Sequence, residues 1–149
     1  EGATFANEQD VREIPIDGVR GPLKGARRVI EEHARITVNL LEMTAENFSL
    51  ALLGTEVTQD AEIPVNDIIK RVTAFPDTDA YMVNIALVGR RRDTGQDCIF
   101  LLKNALSEGN FEIETTDDDE ASLEVTFAAH FDPADVDTSP WEIRIPQEA

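Results

Sequence analysis

Residues 122–131 alternate between apolar and polar side chains, with Ala128 as the one exception, and this constrains the fold more than any other feature of the chain. A period of two is that of a β-strand with one buried face, and it excludes a helix over the same residues. The side chains expected on the buried face are Leu123, Val125, Phe127, Ala129 and Phe131.

The same pattern recurs along the chain and predicts a mainly β fold. Further strands are expected over residues 12–16, 29–43, 81–88, 98–106, 111–115 and 141–145. In the second of these, Ile36, Val38 and Leu40 face one way, while in the third Tyr81, Val83, Ile85 and Leu87 share a face. Residues 66–69 favour a short helical turn and residues 68–73 a strand equally, so that choice stays open.

One helix is predicted at about residues 45–53. Thr44 is a suitable N-cap, Glu46 suits the positive end of the first turn, and Gly54 suits the position after the last turn. About seven strands and one helix indicate a β-rich α+β domain over residues 1–149, with two antiparallel sheets packed face to face and the helix on their flank.

Turn signals separate the strands. The segments GRRRDTGQD (residues 89–97) and SEGN (residues 107–110) are each expected to join two strands as hairpins. The segment TTDDDEAS (residues 115–122) reads as a solvated loop because it carries a run of like charge. Pro15, between Ile14 and Ile16, indicates an edge strand.

The charge of the chain is strongly negative and unevenly distributed. The net charge is −17, which argues against binding to nucleic acid or to anionic lipids. Residues 108–149 hold 13 acidic residues and one basic residue. Seven of the 13 Lys and Arg residues lie in two short segments, which are Arg20, Lys24, Arg27 and Arg28, and then Arg90, Arg91 and Arg92. Such loops are either solvated turns or contacts to acidic faces of another copy.

No arrangement of residues predicts catalysis, a cofactor or a metal. His33 and His130 are expected on strands, and no nucleophile motif accompanies either of them. His130 and Asp132 have the spacing of two metal ligands, but no third ligand is identifiable. The acidic residues 117–120 and 132–137 do not match a calcium loop, and residues 18–28 lack the spacing of a phosphate loop. The lone Cys98 excludes an internal disulfide.

The order of elements resembles that of tail tube (major tail) proteins of long-tailed bacteriophages and prophages. The resemblance rests on REIPIDGVRGPLKGARRVIEEHARITVNLLEMTAENFSLALLG (residues 12–54) and on LEVTFAAHFDP followed by a short terminal strand. It extends over about residues 12–145. The chain is expected to lack the leading segment that precedes GATF in such proteins.

The resemblance implies a structural virion protein without enzymatic activity, made in the bacterial host and located in the tail. Such subunits are β-sandwiches that close into hexameric rings, and the rings stack into a tube that conducts DNA. A projecting loop reaching the next ring would be about residues 18–28, carrying Arg20, Lys24, Arg27 and Arg28. The acidic partner or lumen surface would comprise Glu112, Glu114, Asp117, Asp118, Asp119 and Glu120.

Three alternatives stay open at this point. The first is a tube component of a contractile or secretion apparatus with the same fold. The second is a monomeric β-sandwich binding module, for instance one for carbohydrate, although the chain has only one Trp and one Tyr. The third is an enzyme, which would need convergent titratable residues.

Overall fold

The computed structural model describes residues 2–63, 65–114 and 122–147. Strands account for 53% of the described residues and helices for 7%, which confirms the mainly β class with antiparallel sheets and one helix. The strands are Ala3–Glu13 (β1), Arg27–Leu40 (β2), Thr55–Gln59 (β3), Asp67–Arg71 (β4), Met82–Arg90 (β5), Asp97–Glu114 (β6), Ser122–Ala128 (β7) and Trp141–Arg144 (β8). The helix α1 spans Ala45–Ala51, and a 3-10 turn spans Thr78–Ala80.

Six strands form one antiparallel sheet in the order β1-β2-β7-β6-β5, and β8 also pairs with β6. Strands β3 and β4 form a separate hairpin. β8 pairs with the same edge of β6 as β7 does, but nearer the start of β6. Both the amide and the carbonyl of Lys103 face this edge. The amide donates to the Pro140 carbonyl at 2.7 Å and the carbonyl accepts from the His130 amide at 3.4 Å.

Strand β6 is the longest element and joins the two halves of the sheet. Its first half pairs with β5 and β8, and its second half pairs with β7 after a register shift between Ser107 and Phe111. The hairpin predicted at residues 107–110 is therefore wrong. Gly109 has φ of 74° and polar neighbours. These features suit a bulge within a continuous strand as well as a turn.

The core lies between two layers that are the halves of this one sheet. The Phe5 ring of β1 lies 5.2 Å from the Phe100 ring of β6 and 6.5 Å from that of Trp141, so the sheet folds back on itself. The main buried side chains confirm the predicted inward faces of β2 and β7. They are Ala34, Ile36, Leu102, Ala105, Leu123, Val125 and Phe127, together with Ala51 of the helix.

The helix begins as predicted and ends early. The Thr44 hydroxyl accepts a hydrogen bond from the Asn47 amide at 3.2 Å, which caps the first turn. The last helical residue is Ala51, where about residue 53 was expected. The buried Ser107 hydroxyl donates to the Ala51 carbonyl at 2.6 Å, so this contact ties the end of the helix to β6.

The N-terminal strand differs from the expectation. A strand was predicted over residues 12–16, but β1 runs from Ala3 to Glu13, and residues 14–26 form a loop. The Ile14 amide donates to the Ala26 carbonyl at 2.7 Å and closes the loop at its base. β1 ends the order of the sheet, but Pro15, on which the predicted edge position rested, lies in the loop and not on a strand.

The predicted inward face of β5 is partly wrong. Ile85 and Leu87 pack on the core, but Val83 is 76% exposed. On the neighbouring strand, Leu102 and Ala105 are both buried although they are three residues apart, because Asn104 between them adopts φ of 48° and inverts the alternation.

Three further outcomes concern shorter segments. The hairpin predicted at residues 89–97 is confirmed, since it joins β5 to β6. Residues 67–71 form strand β4, so the strand alternative is confirmed and the helical one is wrong, whereas β3 was not predicted. Phe131 lies beyond the end of β7 and is 41% exposed, so it does not continue the buried face.

Candidate assembly surfaces

The four basic residues predicted to act together lie in the loop between β1 and β2 or at its junction with β2. Arg20 and Lys24 belong to the loop of residues 14–26, while Arg27 and Arg28 are the first two residues of β2. All four are exposed. The basic segment predicted as a loop over residues 18–28 is therefore the tip of the β1–β2 hairpin, with its last two residues already on a strand.

Backbone hydrogen bonds order this tip internally. Besides the bond that closes its base, the Val19 amide donates to the Ile16 carbonyl at 3.3 Å, and the Ala26 amide donates to the Leu23 carbonyl at 3.1 Å. Gly25 precedes the buried Ala26 with φ of 89°, a conformation that favours glycine. Its exposed apolar side chains are Ile14, Ile16, Val19 and Leu23.

The structure describes two of the six acidic residues that were predicted to form a partner or lumen surface. Glu112 and Glu114 lie on β6, where the register sets them opposite Glu124 and Ser122 of β7. Asp117, Asp118, Asp119 and Glu120 lie outside the described residues. The acidic partner or lumen surface therefore stays a prediction.

Both ends of the six-stranded sheet are long strands with an unpaired outer edge within the described part of the chain. These are β1, with 11 residues, and β5, with nine. An unpaired edge presents a row of free amides and carbonyls that another strand can pair with. Sequence reasoning predicted one edge strand, over residues 12–16, and did not predict that β5 forms the other edge.

The loops before and after β4 carry exposed apolar side chains that sequence reasoning missed. Val65 is 89% exposed and Phe75 is 85% exposed, with Ile63 and Val72 nearby in the chain. These side chains could have been noticed in the sequence because they lie outside any segment of alternating apolar and polar residues.

An open recess of about 1130 Å³ lies where the β1–β2 hairpin meets β6 and the end of β7. Glu108, which lines the recess, contacts the Arg35 guanidinium at 2.6 Å, and Arg35 also contacts Glu8 at 3.3 Å. The hydrogen bond and charge of Glu108 raise the pKa of Arg35.

Glu32 is anchored at the rim of this recess. Its carboxylate accepts the Trp141 indole N–H at 3.1 Å and the Gln9 amide at 3.5 Å. Hydrogen bonds, the largest contribution coming from Ser139, lower the pKa of Glu32 and keep it charged.

The residues considered for metal binding or catalysis do not form a reactive group. His130 lies just beyond β7, and its Nδ1 donates to the carbonyls of Ala128 at 3.1 Å and Asn104 at 3.3 Å. The Asp132 carboxylate accepts from the Ala134 amide at 2.8 Å in a turn. Among the described residues, no group of three or more His, Cys, Asp or Glu could hold a metal ion.

The second basic cluster, residues 90–92, lies at the β5–β6 turn and is partly neutralised there. Arg91 pairs with Asp93 at 2.5 Å, and this hydrogen bond lowers the pKa of Asp93. Arg90 donates to the Gly95 carbonyl at 3.0 Å. This turn is therefore less available to an acidic partner than the tip of the β1–β2 hairpin.

Comparison with known proteins adds no relative. No protein-family model matches the chain, and no curated protein matches its sequence. None of the helices in the described ranges combines the length and the apolar character needed to cross a membrane.

Proposed function

We propose that this protein is a structural subunit of a bacteriophage tail tube, in which copies close into rings and the rings stack around a channel for DNA. The observation that carries the proposal is the pair of open edges on one sheet. β1 and β5 end the sheet on opposite sides, so pairing β1 of one copy with β5 of the next extends the sheet around a ring.

The exposed apolar surface supports assembly. Twenty-two large apolar side chains of the described residues are exposed, whereas ten apolar residues form the buried core. Scattered exposed apolar side chains are normal, but large apolar patches mark interaction sites. Several of these residues lie in the loop of residues 14–26 between β1 and β2, and others lie in the loops before and after β4.

The charge of the chain suits a channel through which DNA passes without adhering. A net charge of −17 repels the phosphate backbone, so a lumen built from many copies would offer DNA no favourable contact. We assign the predicted acidic residues 112–120 to the lumen or to a contact with the basic hairpin tip. The ring number of six rests on the resemblance to tail tube proteins.

Electron microscopy of the purified protein over a range of concentrations tests the proposal. We expect rings with six-fold symmetry or short tubes, at least at high concentration, with sedimentation showing assemblies in place of monomers. Monomers at every concentration and salt tested would refute it.

A pair of substitutions tests the open edges specifically. Val88 on β5 is 59% exposed, and Val136 in the loop between β7 and β8 is 64% exposed. A lysine on an edge strand opposes pairing with another strand. We therefore expect Val88→Lys to abolish rings and Val136→Lys to leave them, with the same circular dichroism spectrum for both. Equal assembly of the two variants would exclude pairing through β5.

A further inference from the structure

The β1–β2 hairpin projects from the sheet as a two-stranded ribbon. Residues 35–38 of β2 pair with both β1 and β7, whereas in the described chain residues 27–33 pair with β1 alone. We call residues 7–34 the ribbon; residues 12–28 are its tip, and residues 7–10 and 29–33 are its base. An isolated two-stranded hairpin is marginally stable in water, so a ribbon of this kind gains stability from an additional partner.

The two ends of the ribbon have opposite charge. The tip holds five basic and two acidic residues, a net charge of +3. The base holds four acidic residues and no Lys or Arg, a net charge of −4. The register sets Arg12 opposite Arg28 in the tip and Asp10 opposite Glu31 in the base. Like charges directly opposite each other destabilise a pair of strands, and an oppositely charged partner relieves both pairs.

The recess beside the base offers a surface of the matching charge. It is lined by three glutamates and by apolar side chains, among them Glu31, Glu32, Glu108, Ile30, Leu106 and Phe131, and none of its described lining residues is Lys or Arg. Glu108 is paired with Arg35, whereas Glu31 and Glu32 have no Lys or Arg partner among the described residues. The tip carries what this surface lacks, which is positive charge together with exposed apolar side chains.

We propose that the recess of one copy receives the ribbon tip of a second copy. This inference rests on the proposed tube function and names the surface that the projecting hairpin contacts. Tip and recess lie at different ends of the same ribbon, so the contact is head-to-tail. A head-to-tail contact that does not close on itself generates an open-ended polymer, which is the geometry of stacked rings.

Disulfide trapping between two differently tagged chains tests the contact directly. Both chains carry Cys98→Ser, one also carries Lys24→Cys in the tip, and the other carries Asn110→Cys, which is exposed and lines the recess. Since each chain has one cysteine, any mixed disulfide joins two copies. We expect the mixed disulfide to form in the assembled mixture. The control replaces Lys24→Cys by Arg92→Cys at the other basic turn and is expected to give little product.

The two proposals fail differently in this experiment. Rings or tubes that yield no more mixed disulfide with Lys24→Cys than with Arg92→Cys would overturn the recess contact and leave the tube function standing. A mixture that contains only monomers at every concentration would overturn both.

A charge exchange gives an independent measure. Lys24→Glu and Glu31→Lys are each expected to raise the concentration needed for stacking about threefold to tenfold, and the double variant is expected to recover much of that loss. Glu31 suits this exchange because its described ion-pair partner is the exposed His33, at 3.6 Å. Lys70→Glu on β4 makes the same charge change away from the ribbon and should have little effect. Losses in the double variant equal to the sum of the single losses would contradict a direct contact.

Discussion

Replacing Gly54 by alanine tests how the helix is joined to the β3–β4 hairpin. Gly54 has φ of 65°, and its carbonyl accepts hydrogen bonds from the amides of Val72 at 2.8 Å and Thr73 at 3.2 Å. A Cβ added at Gly54 would lie 2.3 Å from the Thr73 carbonyl oxygen, so the backbone there must move. The left-handed conformation costs alanine about 1 kcal/mol, and a disturbed hydrogen bond costs about 1–2 kcal/mol more. We therefore expect the free energy of unfolding to fall by about 2–3 kcal/mol.

Gly95→Ala is the matched control for this substitution. Gly95 has φ of 69°, but no atom lies within 4 Å of an added Cβ. It carries the same conformational cost without the collision, so we expect a loss of about 1 kcal/mol. Urea unfolding of both variants, followed at one low protein concentration, measures the difference. Losses within about 0.5 kcal/mol of each other would show that the contact with Thr73 does not restrict this position.

Three further predictions concern polar contacts in and beside the core. Ser107→Ala leaves the Ala51 carbonyl without its buried donor and is expected to lower the free energy of unfolding by about 1–3 kcal/mol in urea; a loss below about 0.5 kcal/mol would contradict this. Trp141→Phe keeps an aromatic ring but removes the donor to Glu32, so we expect a loss of about 1 kcal/mol and a rise in the pKa of Glu32, measured by NMR titration. The folded pKa of Glu32 is lowered below 4.5, so its contribution is present above that pH and is lost on acidification. Glu32→Gln should therefore reduce the loss of stability between about pH 5 and pH 3, and an unchanged slope would contradict the role of Glu32.

The strands that could be predicted from the sequence are those with one face in the core. On β7, Leu123, Val125 and Phe127 are buried while Glu124 is exposed, so the burial follows the two-residue period of the sequence. The N-cap of the helix was also readable, because Thr44 satisfies a backbone amide three residues away. Both signals depend on residues that are close together in the sequence, so they can be recognised without knowledge of the tertiary fold.

β1 lacked such a signal because it buries almost nothing. Of its 11 residues only Phe5 and Asn7 are less than exposed. Its strand conformation comes from pairing with β2, which is a non-local contact. The hairpin predicted at residues 107–110 was wrong for a related reason. A glycine between polar residues suits a turn and a bulge equally, and only the pairing of β6 with β7 decides between them.

The recess and the ribbon together explain why the sequence revealed charge segregation without revealing its use. In the linear sequence, the basic residues 20–28 stand directly before the acidic pair Glu31 and Glu32, so they read as one mixed segment. In an extended strand, each residue advances the chain by about 3.3 Å, which converts this short separation into distance along the ribbon. Opposite charges on one stiff element cannot meet within a chain when the element does not bend back. In the contact proposed above, a second copy shifted along the same axis pairs with them, and the order of charges along the ribbon sets the direction of assembly.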